Sequence, residues 1–353
     1  MAELRGAVIG YGLAGSVFHA PLIAATPGLR VSTVVTGNPE RRAAASSAYP
    51  DAVVTPDVDQ VYERAADHDF VVVAAPNDVH GTLARKALDA GLPVVVDKPF
   101  APTADEARAL VERAEELGVP ITAYMNRRWD SDQLTLRRLL GEGRLGDVLR
   151  YESRLERWRP ALSEPRPWSE TSAPEAGGGI LLDLGTHLVD QAVVLFGEVT
   201  RVYAELINRR GGGADDDAFV ALEHASGVRS HLWTSLLAAS PGPRLRVLGD
   251  QAAYVVTDVD GQEEALVSGA RPGDEGDWGT EPPEKWGRLT TGQGSEPVPS
   301  ERGDWPRFYS QLEGALREGS PLPVDARDAV AGLEILDAAR LSAGRGSVVS
   351  LGD

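Results

Sequence analysis

Cysteine is absent from this chain of 353 residues, which excludes disulfide bonds, a thiolate nucleophile and a cysteine-bound metal. No unbroken apolar run is long enough to span a bilayer, and no signal peptide stands at the start, so no membrane partner is predicted and a cytoplasmic location fits. Basic residues are the minority, with 35 Lys and Arg against 53 Asp and Glu. The net charge of −18 argues against nucleic acid as a partner, because its phosphates would be repelled.

What the chain does contain is typical of a globular protein of two domains. Its length allows two domains of ordinary size, and the content of 42% hydrophobic and 25% charged residues is that of a protein with packed cores. We place the boundary near residue 124, where the alternation of short apolar strands and helical patterns stops. The domains are then expected at 1–124 and 125–353.

A glycine motif follows the first apolar run of the chain. Residues 4–9 read as a strand, and a helical pattern begins near Val17. A motif G-x-G-x-x-G between a strand and a helix indicates dinucleotide binding, because the glycines permit close approach and the helix N-terminus receives the pyrophosphate. A glycine-rich turn is also common without a ligand, but its place after the first strand favours the nucleotide. The predicted contacts are Gly10, Gly12, Leu13, Ala14 and Gly15.

The end of the second predicted strand, 30–35, bears on the choice of nucleotide. An acidic residue at this point normally binds the ribose hydroxyls of NAD, and none is present. Thr36 and Asn38 could hydrogen-bond a 2′-phosphate, and Arg41 with Arg42 could neutralise it. The alternative is that the two arginines are solvated surface at a helix start. We predict NADP as the cofactor, with NAD as the alternative.

Three groups of polar residues, which include Asn77, Lys98 and Asn126, follow later strands of this first domain. Ligands of parallel sheets bind at the carboxyl ends of the strands, where these groups fall. Lys98, one of only three lysines in the chain, could stabilise the alkoxide of a substrate; the alternative is a surface lysine at a strand end. Cofactor contacts are expected from Pro76, Asn77, His80, Asp97, Lys98 and Asn126.

Another glycine run, at 177–179, precedes a helical pattern with a polar face. Asp183 and His187 stand four residues apart and therefore share that face, which Asp190 continues one turn on. A carboxylate that orients an imidazole is what a general acid/base pair needs. The alternative is a solvated helix face with an incidental histidine.

The remaining residues carry weaker signals. Arg157, Arg159 and Trp168 could line a sugar site, together with Arg127; alternatively the segment is a surface loop pinned by its tryptophans. Residues 215–217, three aspartates, are read as a solvated turn and not as a metal site, and no metal site is predicted elsewhere. His224 and His231 are read as ordinary strand residues. Composition predicts a loop over 269–303.

The patterns together predict an α/β fold. The N-terminal domain is expected to be a Rossmann fold, a doubly wound parallel sheet of repeated βα units. The C-terminal domain is expected to be α+β, with a large, mostly antiparallel open sheet built from runs at 148–155, 199–207, 218–223, 228–236, 244–248 and 252–256.

The motifs resemble those of the glucose-fructose oxidoreductase, inositol dehydrogenase and MocA family of NAD(P)-dependent oxidoreductases. The resemblance covers nearly the whole chain and is carried by Gly10, Gly12, Gly15, Pro76, Asn77, His80, Lys98, Pro99, Asp183, His187 and Asp190. Segments 16–19, 126–130 and 277–279 look like those of its NADP-dependent scyllo-inositol dehydrogenase branch. Where the family has Glu-Lys-Pro, this chain has Asp97-Lys98-Pro99, which shortens one side chain.

The resemblance implies a catalytic Lys98, a substrate-orienting Asp183 and a proton-handling His187. It also implies a homodimer or homotetramer formed through the open face of the C-terminal sheet. We therefore expect hydride transfer between NADP and a secondary alcohol of a cyclic polyol or sugar, most simply of scyllo-inositol type, in the cleft between two domains. Whether Lys98 or His187 takes the proton stays open. The rivals are the same chemistry on an aldose, another keto sugar or an aromatic diol, and a dinucleotide-sensing regulator without catalysis.

Overall fold

The chain divides into two compact units in a computed structural model that describes residues 2–162, 172–174, 177–274 and 276–352. The first unit comprises Met1–Asn126, Gln262–Trp278 and Trp305–Val330, and the second comprises Arg127–Gly261, Gly279–Asp304 and Ala331–Asp353. The predicted division at residue 124 did not include the two later returns of the chain to the first unit.

The strands and helices of the described residues are as follows. The strands are β1 Leu4–Ile9, β2 Leu29–Val35, β3 Val53–Thr55, β4 Phe70–Val73, β5 Val94–Asp97, β6 Ile121–Tyr124, β7 Val148–Glu156, β8 Val199–Ile207, β9 Asp217–His224, β10 Arg229–Ser235, β11 Leu245–Gly249, β12 Ala253–Val256, β13 Arg288–Thr291, β14 Gly294–Pro297 and β15 Val349–Ser350. The α-helices are α1 Ala20–Ala25, α2 Pro39–Ala48, α3 Asp59–Glu63, α4 His80–Asp89, α5 Ala104–Leu117, α6 Ser131–Gly141, α7 Thr186–Phe196, α8 Gln262–Val267, α9 Pro306–Glu318 and α10 Ala326–Arg345. Single π-helical turns at Ala14–His19 and Leu181–Gly185 precede α1 and α7.

The first unit contains a six-stranded sheet in the order β3-β2-β1-β4-β5-β6, and its paired strands are all parallel. Residues of β4 and β5 are buried along their whole length, as expected where both faces of a sheet are covered by helices. The order of the strands reverses at β1 and β4, and ligands bind beyond the carboxyl ends at such a point. The prediction of a doubly wound Rossmann sheet is confirmed.

Helix α5 illustrates how local sequence sets the elements of this unit. The Thr103 side chain accepts a hydrogen bond from the Glu106 amide at 3.3 Å, which satisfies a donor of the first turn. Gly118 ends the helix in the left-handed conformation, with φ of 63°. From the sequence, Thr103 as cap and Gly118 as stop predict a helix over 104–117, and the structure confirms both ends.

The second unit contains a nine-stranded sheet, counted over the described strands, in the order β14-β13-β12-β11-β7-β10-β9-β8-β15. Its pairs are antiparallel except for β7 and β10, which run parallel at the centre of the sheet. Helix α7 packs against β7 and β10 on one face. The prediction of a large, mostly antiparallel sheet is confirmed, and α7 carries one of the candidate catalytic residues onto it.

The prediction of a loop over 269–303 is wrong for the part that contains β13 and β14. Strands β13 and β14 form a hairpin there that pairs with β12 and extends the edge of the sheet. Every residue of β14 is exposed, and Leu289 is the one buried residue of β13. These strands lack the apolar alternation by which a strand is predicted from sequence. Backbone pairing with an existing sheet edge holds them instead. Among the residues described, no helix is long and apolar enough to cross a membrane.

Candidate active site

The glycine loop of the first unit joins β1 to the π-helical turn Ala14–His19. Gly10 has φ of 99°, and a Cβ there would overlap the Ala74 carbonyl, while a Cβ on Gly15 would overlap the Gly10 carbonyl. The fold itself therefore requires these two glycines. Among the described residues, a Cβ on Gly12 would meet only Nη1 of Arg41, at 3.7 Å, so none of them requires glycine at that position. The space over Gly12 suits a ligand that approaches the backbone closely, as the pyrophosphate of a dinucleotide does.

Arg41 lies beside this loop, and its neighbours fix its backbone. Asn38 caps α2 by accepting a hydrogen bond from the Arg41 amide at 3.0 Å, and Arg42 donates to the Gly37 carbonyl at 2.8 Å. Thr36 is buried and its amide donates to the Thr55 carbonyl. Arg41 therefore lies at the glycine loop. Asn38 and Arg42 are held at the start of α2 by these hydrogen bonds within the chain. An interaction of these four residues with a 2′-phosphate stays a prediction.

The carboxyl ends of β4 and β5 are tied together by His80. Its ring is fully buried, with Nδ1 2.9 Å from the Pro99 carbonyl and Nε2 2.8 Å from the Ala75 carbonyl. Pro76 and Asn77, which begin the short helical turn before α4, lie next to this crosslink, and Asn77 is buried. His80 therefore holds two backbone segments of the predicted cofactor site, and its own contact with a cofactor stays a prediction.

Asp97 is the last residue of β5, and Lys98 follows it. The Asp97 carboxylate accepts a hydrogen bond from the Lys98 amide at 2.8 Å, and Lys98 itself is half-buried, before a cis peptide bond to Pro99. Burial alone would raise the pKa of Asp97. Contact with His19, followed by the charges of Lys98 and His80, outweighs burial and lowers the pKa of Asp97 below its ordinary value. Asp97 is therefore anionic, and its carboxylate holds the backbone of Lys98.

In the second unit, Asp183 lies in the π-helical turn Leu181–Gly185, and His187 lies in the first turn of α7. Four residues complete about one helical turn, so a shared face for the two side chains stays the expectation from their spacing. His187 is buried, with 4% of its surface exposed, and Asp183 is half-buried. Their roles as general base and orienting carboxylate stay predictions.

The glycines before this helix are explained by contacts within the chain. A Cβ on Gly178 would overlap the Ser172 carbonyl, and one on Gly179, where φ is 100°, would overlap the Asp215 carboxylate. That carboxylate accepts a hydrogen bond from the Leu181 amide at 2.7 Å. The close approach that the sequence indicated is thus made by Ser172 and Asp215, which fix the start of the turn that carries Asp183.

The prediction of a solvated turn at 215–217 is wrong. Asp216 is 2% exposed, and it accepts hydrogen bonds from the amides of Arg209 at 2.9 Å and Arg210 at 2.8 Å. The Arg210 guanidinium pairs with the same carboxylate at 3.2 Å. Because its carboxylate is buried and paired with donors, this aspartate has a structural role. The donors are Arg209 and Arg210, which lie outside strand β9.

Asp190, on the face that follows His187, is engaged by an arginine. Arg128 donates to both oxygens of its carboxylate, at 2.6 Å and 2.9 Å in the shortest pairing of each. The neighbouring Arg127 is 4% exposed and pairs with Asp130 at 3.3 Å, and Asn126 is likewise buried. Asn126 and Arg127 therefore lie in a packed, ion-paired segment, and their contacts with cofactor and substrate stay predictions.

Arg157 and Arg159 follow β7 in an extended segment. Their amides donate to the carbonyls of Ser235 at 2.8 Å and Leu236 at 2.7 Å, which holds the segment beside the end of β10. Arg157 is half-buried and Arg159 is exposed. Trp168, the third predicted member of this sugar-binding group, lies outside the described residues. His224 and His231 lie in β9 and β10, as predicted for strand residues.

Two residues near the glycine loop were missed by the sequence analysis. Burial raises the pKa of the Tyr11 phenol, and the charge of Arg271, in the part of the chain that returns to the first unit, offsets part of that rise. His19 faces Asp97, with Nε2 3.5 Å from Oδ1. No local pattern marks Arg271, whereas His19 stands in the segment 16–19 that carried the family resemblance.

Comparison with known proteins identifies the family. The oxidoreductase family model with an NAD-binding Rossmann fold, GFO/IDH/MocA, matches residues 4–125, and the GFO/IDH/MocA C-terminal domain model matches residues 133–255. The chain is 33% identical to scyllo-inositol 2-dehydrogenase (NADP(+)) IolW of Bacillus subtilis, over 95% of this chain and 92% of that protein. It is 38% identical to the uncharacterized oxidoreductase YdgJ of Escherichia coli, over 95% of each. The crystal structure of the oxidoreductase yvaA from Bacillus subtilis superposes with a TM-score of 0.93 at 31% identity, over 99% of each chain. The fold, the glycine loop and these matches together establish that the chain belongs to the GFO/IDH/MocA family of NAD(P)-dependent oxidoreductases.

Proposed function

We propose that this enzyme oxidises a secondary alcohol of a cyclic polyol of the scyllo-inositol type, with NADP as the acceptor. The observation that carries the proposal is the similarity, over 95% of the chain, to a relative named as an NADP-dependent scyllo-inositol 2-dehydrogenase. Lys98 lies at the end of a strand, Asp183 in a helical turn and His187 in the helix that follows it. These positions suit the roles expected of them. The same chemistry on an aldose is the second candidate within this family.

When bound, the nicotinamide ring supplies the acceptor for the hydride that leaves the carbinol carbon. Lys98 stabilises the negative charge that develops on the substrate oxygen, because its ammonium carries the opposite charge. His187 takes the hydroxyl proton as general base, and Asp183 orients the substrate and the imidazole. Arg127, Arg157, Arg159 and Trp168 are proposed to bind the remaining hydroxyls.

A panel of substrates tests the proposal. The rate of NADP reduction is measured for the purified enzyme with inositol isomers and common aldoses, and NAD is run in parallel. The proposal expects scyllo-inositol with NADP to give the largest kcat/KM. A larger value for an aldose would retain the chemistry and contradict the polyol. Absence of turnover across the panel, with NADP still bound, would favour a dinucleotide-sensing role.

Gly12→Ala is expected to weaken dinucleotide binding by about tenfold or more, which corresponds to at least ~1.4 kcal/mol. The added methyl group would fill the space over the loop, yet it would meet only Arg41 within the protein, so the fold should tolerate it. Binding is measured by the fluorescence of reduced dinucleotide. Gly332→Ala in α10, where a Cβ meets none of the described residues within 4 Å, is the matched control and should bind normally. Unchanged affinity in Gly12→Ala would show that no phosphate approaches this glycine.

Replacing Arg41 and Arg42 together by alanine is expected to lower the preference for NADP over NAD by about ten- to a hundredfold, since hydrogen bonds to charged groups contribute roughly 1.5–3 kcal/mol. The ratio of kcat/KM for the two nucleotides measures this preference. Arg85→Ala, which removes an exposed arginine from α4, should leave the ratio unchanged. An equal loss with both nucleotides would contradict contact with a 2′-phosphate.

We also propose that the second sheet forms a homodimer or homotetramer through its half-exposed face. Phe219, His231 and Trp233 lie together on that face, and the Arg154 guanidinium lies 3.9 Å from the centroid of the Trp233 ring. Aromatic and arginine side chains are enriched at protein interfaces. Light scattering of the purified enzyme tests the assembly, and a monomeric mass would contradict it.

A further inference from the structure

His19 is a buried histidine to which the proposed chemistry gives no role. It is the last residue of the π-helical turn Ala14–His19 and has no exposed surface. Its ring lies 4.2 Å from the ring of Tyr124, measured between centroids, at the end of β6. Burial of an imidazole is unfavourable unless its nitrogens are engaged, so the partners of the two nitrogens indicate why a histidine stands here.

Both ring nitrogens face polar groups from other elements. Nδ1 lies 2.6 Å from the hydroxyl of Tyr309, on α9, and Nε2 lies 3.5 Å from Oδ1 of Asp97. The first distance is that of a short hydrogen bond, and the second is longer than a hydrogen bond but still a close polar contact. Tyr309 is fully buried, and burial raises the pKa of its phenol, so the hydroxyl keeps its proton and can donate it to Nδ1. Nε2 then carries the ring hydrogen on the side of the carboxylate, without forming a hydrogen bond at this distance.

The same Asp97 oxygen holds Lys98. Oδ1 accepts the Lys98 amide at 2.8 Å and faces His19 at the same time, so the orientation of the carboxylate is set from two sides. The charge of Lys98 also acts on this carboxylate, as does that of His80, whose ring is fixed between Ala75 and Pro99. His19, Tyr309, His80 and Lys98 are thus the titratable groups that surround Asp97.

We propose that His19 is a positioning residue for Lys98, which it orients through the Asp97 carboxylate. Because His19 ends the helical turn that begins in the glycine loop, this contact also fixes the distance between the loop and Lys98. The proposal rests on the catalytic role given to Lys98 in the proposed function. It assigns His19 no contact with substrate or cofactor.

The kinetic test uses two substitutions at one position. His19→Phe keeps a ring but removes the donor, and it is expected to lower kcat by about ten- to a hundredfold, as small misplacements of a catalytic group do, with the Kd of the dinucleotide unchanged. His19→Gln retains an amide donor and should recover most of the loss. His224→Gln, at a buried histidine of β9 whose nitrogens bond Gly197 and Ser230, is the matched control and should keep wild-type kcat. An equal loss in Phe and Gln variants would overturn the proposal.

A double-mutant cycle with Asp97→Asn examines the path. If His19 acts through Asp97, His19→Phe should lower kcat little further once the carboxylate is gone. Additive losses would mean that His19 acts by another route, and would overturn the proposal.

A readout independent of turnover separates this inference from the proposed function. The chain has three lysines, Lys86, Lys98 and Lys285, so ¹³C-methylation of the holoenzyme gives few lysine resonances, and Lys98→Arg assigns the relevant one. His19→Phe and Asp97→Asn are expected to displace the Lys98 resonance in the same direction, and His19→Gln should leave it in place. A resonance that His19→Phe does not move would overturn the inference. The two proposals can fail separately. If Lys98→Met kept full turnover while His19→Phe displaced the Lys98 resonance, Lys98 would have no catalytic role, but the coupling of His19 to Lys98 would stand.

Discussion

Lys98→Met is expected to lower kcat by about a hundred- to a thousandfold, the loss that follows removal of one group that stabilises a developing oxyanion. Methionine keeps the length and the apolar stem of the side chain but lacks the charge. Lys98 is half-buried at the end of β5 with its amide on Asp97, so the substitution should leave the backbone in place. The dinucleotide Kd should change little, because the charge acts on the substrate oxygen. Initial rates of NADP reduction and a binding titration measure the two quantities.

Lys86→Met is the matched control for this prediction. Lys86 is an exposed lysine whose ammonium lies 3.0 Å from Asp59, and an exposed pair of this kind contributes little to stability. Its loss should leave kcat unchanged. If the Lys98 variant also retained a kcat near the wild-type value, Lys98 would be excluded from the reacting atoms.

His187→Ala is expected to lower kcat by about a hundred- to ten-thousandfold, the usual range for loss of a general base. His187 is buried in the first turn of α7, so truncation leaves a cavity at the position of the ring. Added imidazole should enter that cavity and restore part of the activity. Steady-state rates with increasing imidazole, at constant ionic strength, measure the restoration.

The outcome also decides which residue takes the proton. Restoration by imidazole would assign the proton to His187. A full loss without restoration, beside a comparable loss in Lys98→Met, would assign it to Lys98 and leave His187 an orienting role. His231→Ala, at a half-buried histidine of β10, should keep wild-type activity with or without imidazole. A His187→Ala enzyme with undiminished kcat would contradict both assignments.

The elements that local sequence specifies could be predicted closely. Leu4–Ile9, Ala104–Leu117 and Val199–Ile207 have the predicted bounds. Each is a continuous apolar run, an alternating strand or a capped helix, and the signal comes from residues adjacent in the chain. The hairpin of β13 and β14 could not be predicted, because its polar residues are held by the edge that β12 presents.

The candidate site divides in the same way. The glycine motif, Lys98 and the pair of Asp183 and His187 could be selected by spacing and residue type, because each falls within one turn or one strand end. The residues that hold these candidates in place could not be selected in this way. Asp215 beside Gly179 and His19 beside Asp97 are contacts between residues distant in sequence, and a solvated turn was expected where Asp216 is in fact buried.

The sequence by itself determined the family, the α/β class and the residue types available for redox chemistry, because motifs, hydrophobic periods and caps act within a few residues. Only the tertiary structure decided that residues 262–278 and 305–330 return to the first unit, that β7 and β10 pair in parallel, and that His19 faces Asp97. These features depend on which surfaces of the chain bury each other, and burial joins residues that no local pattern relates.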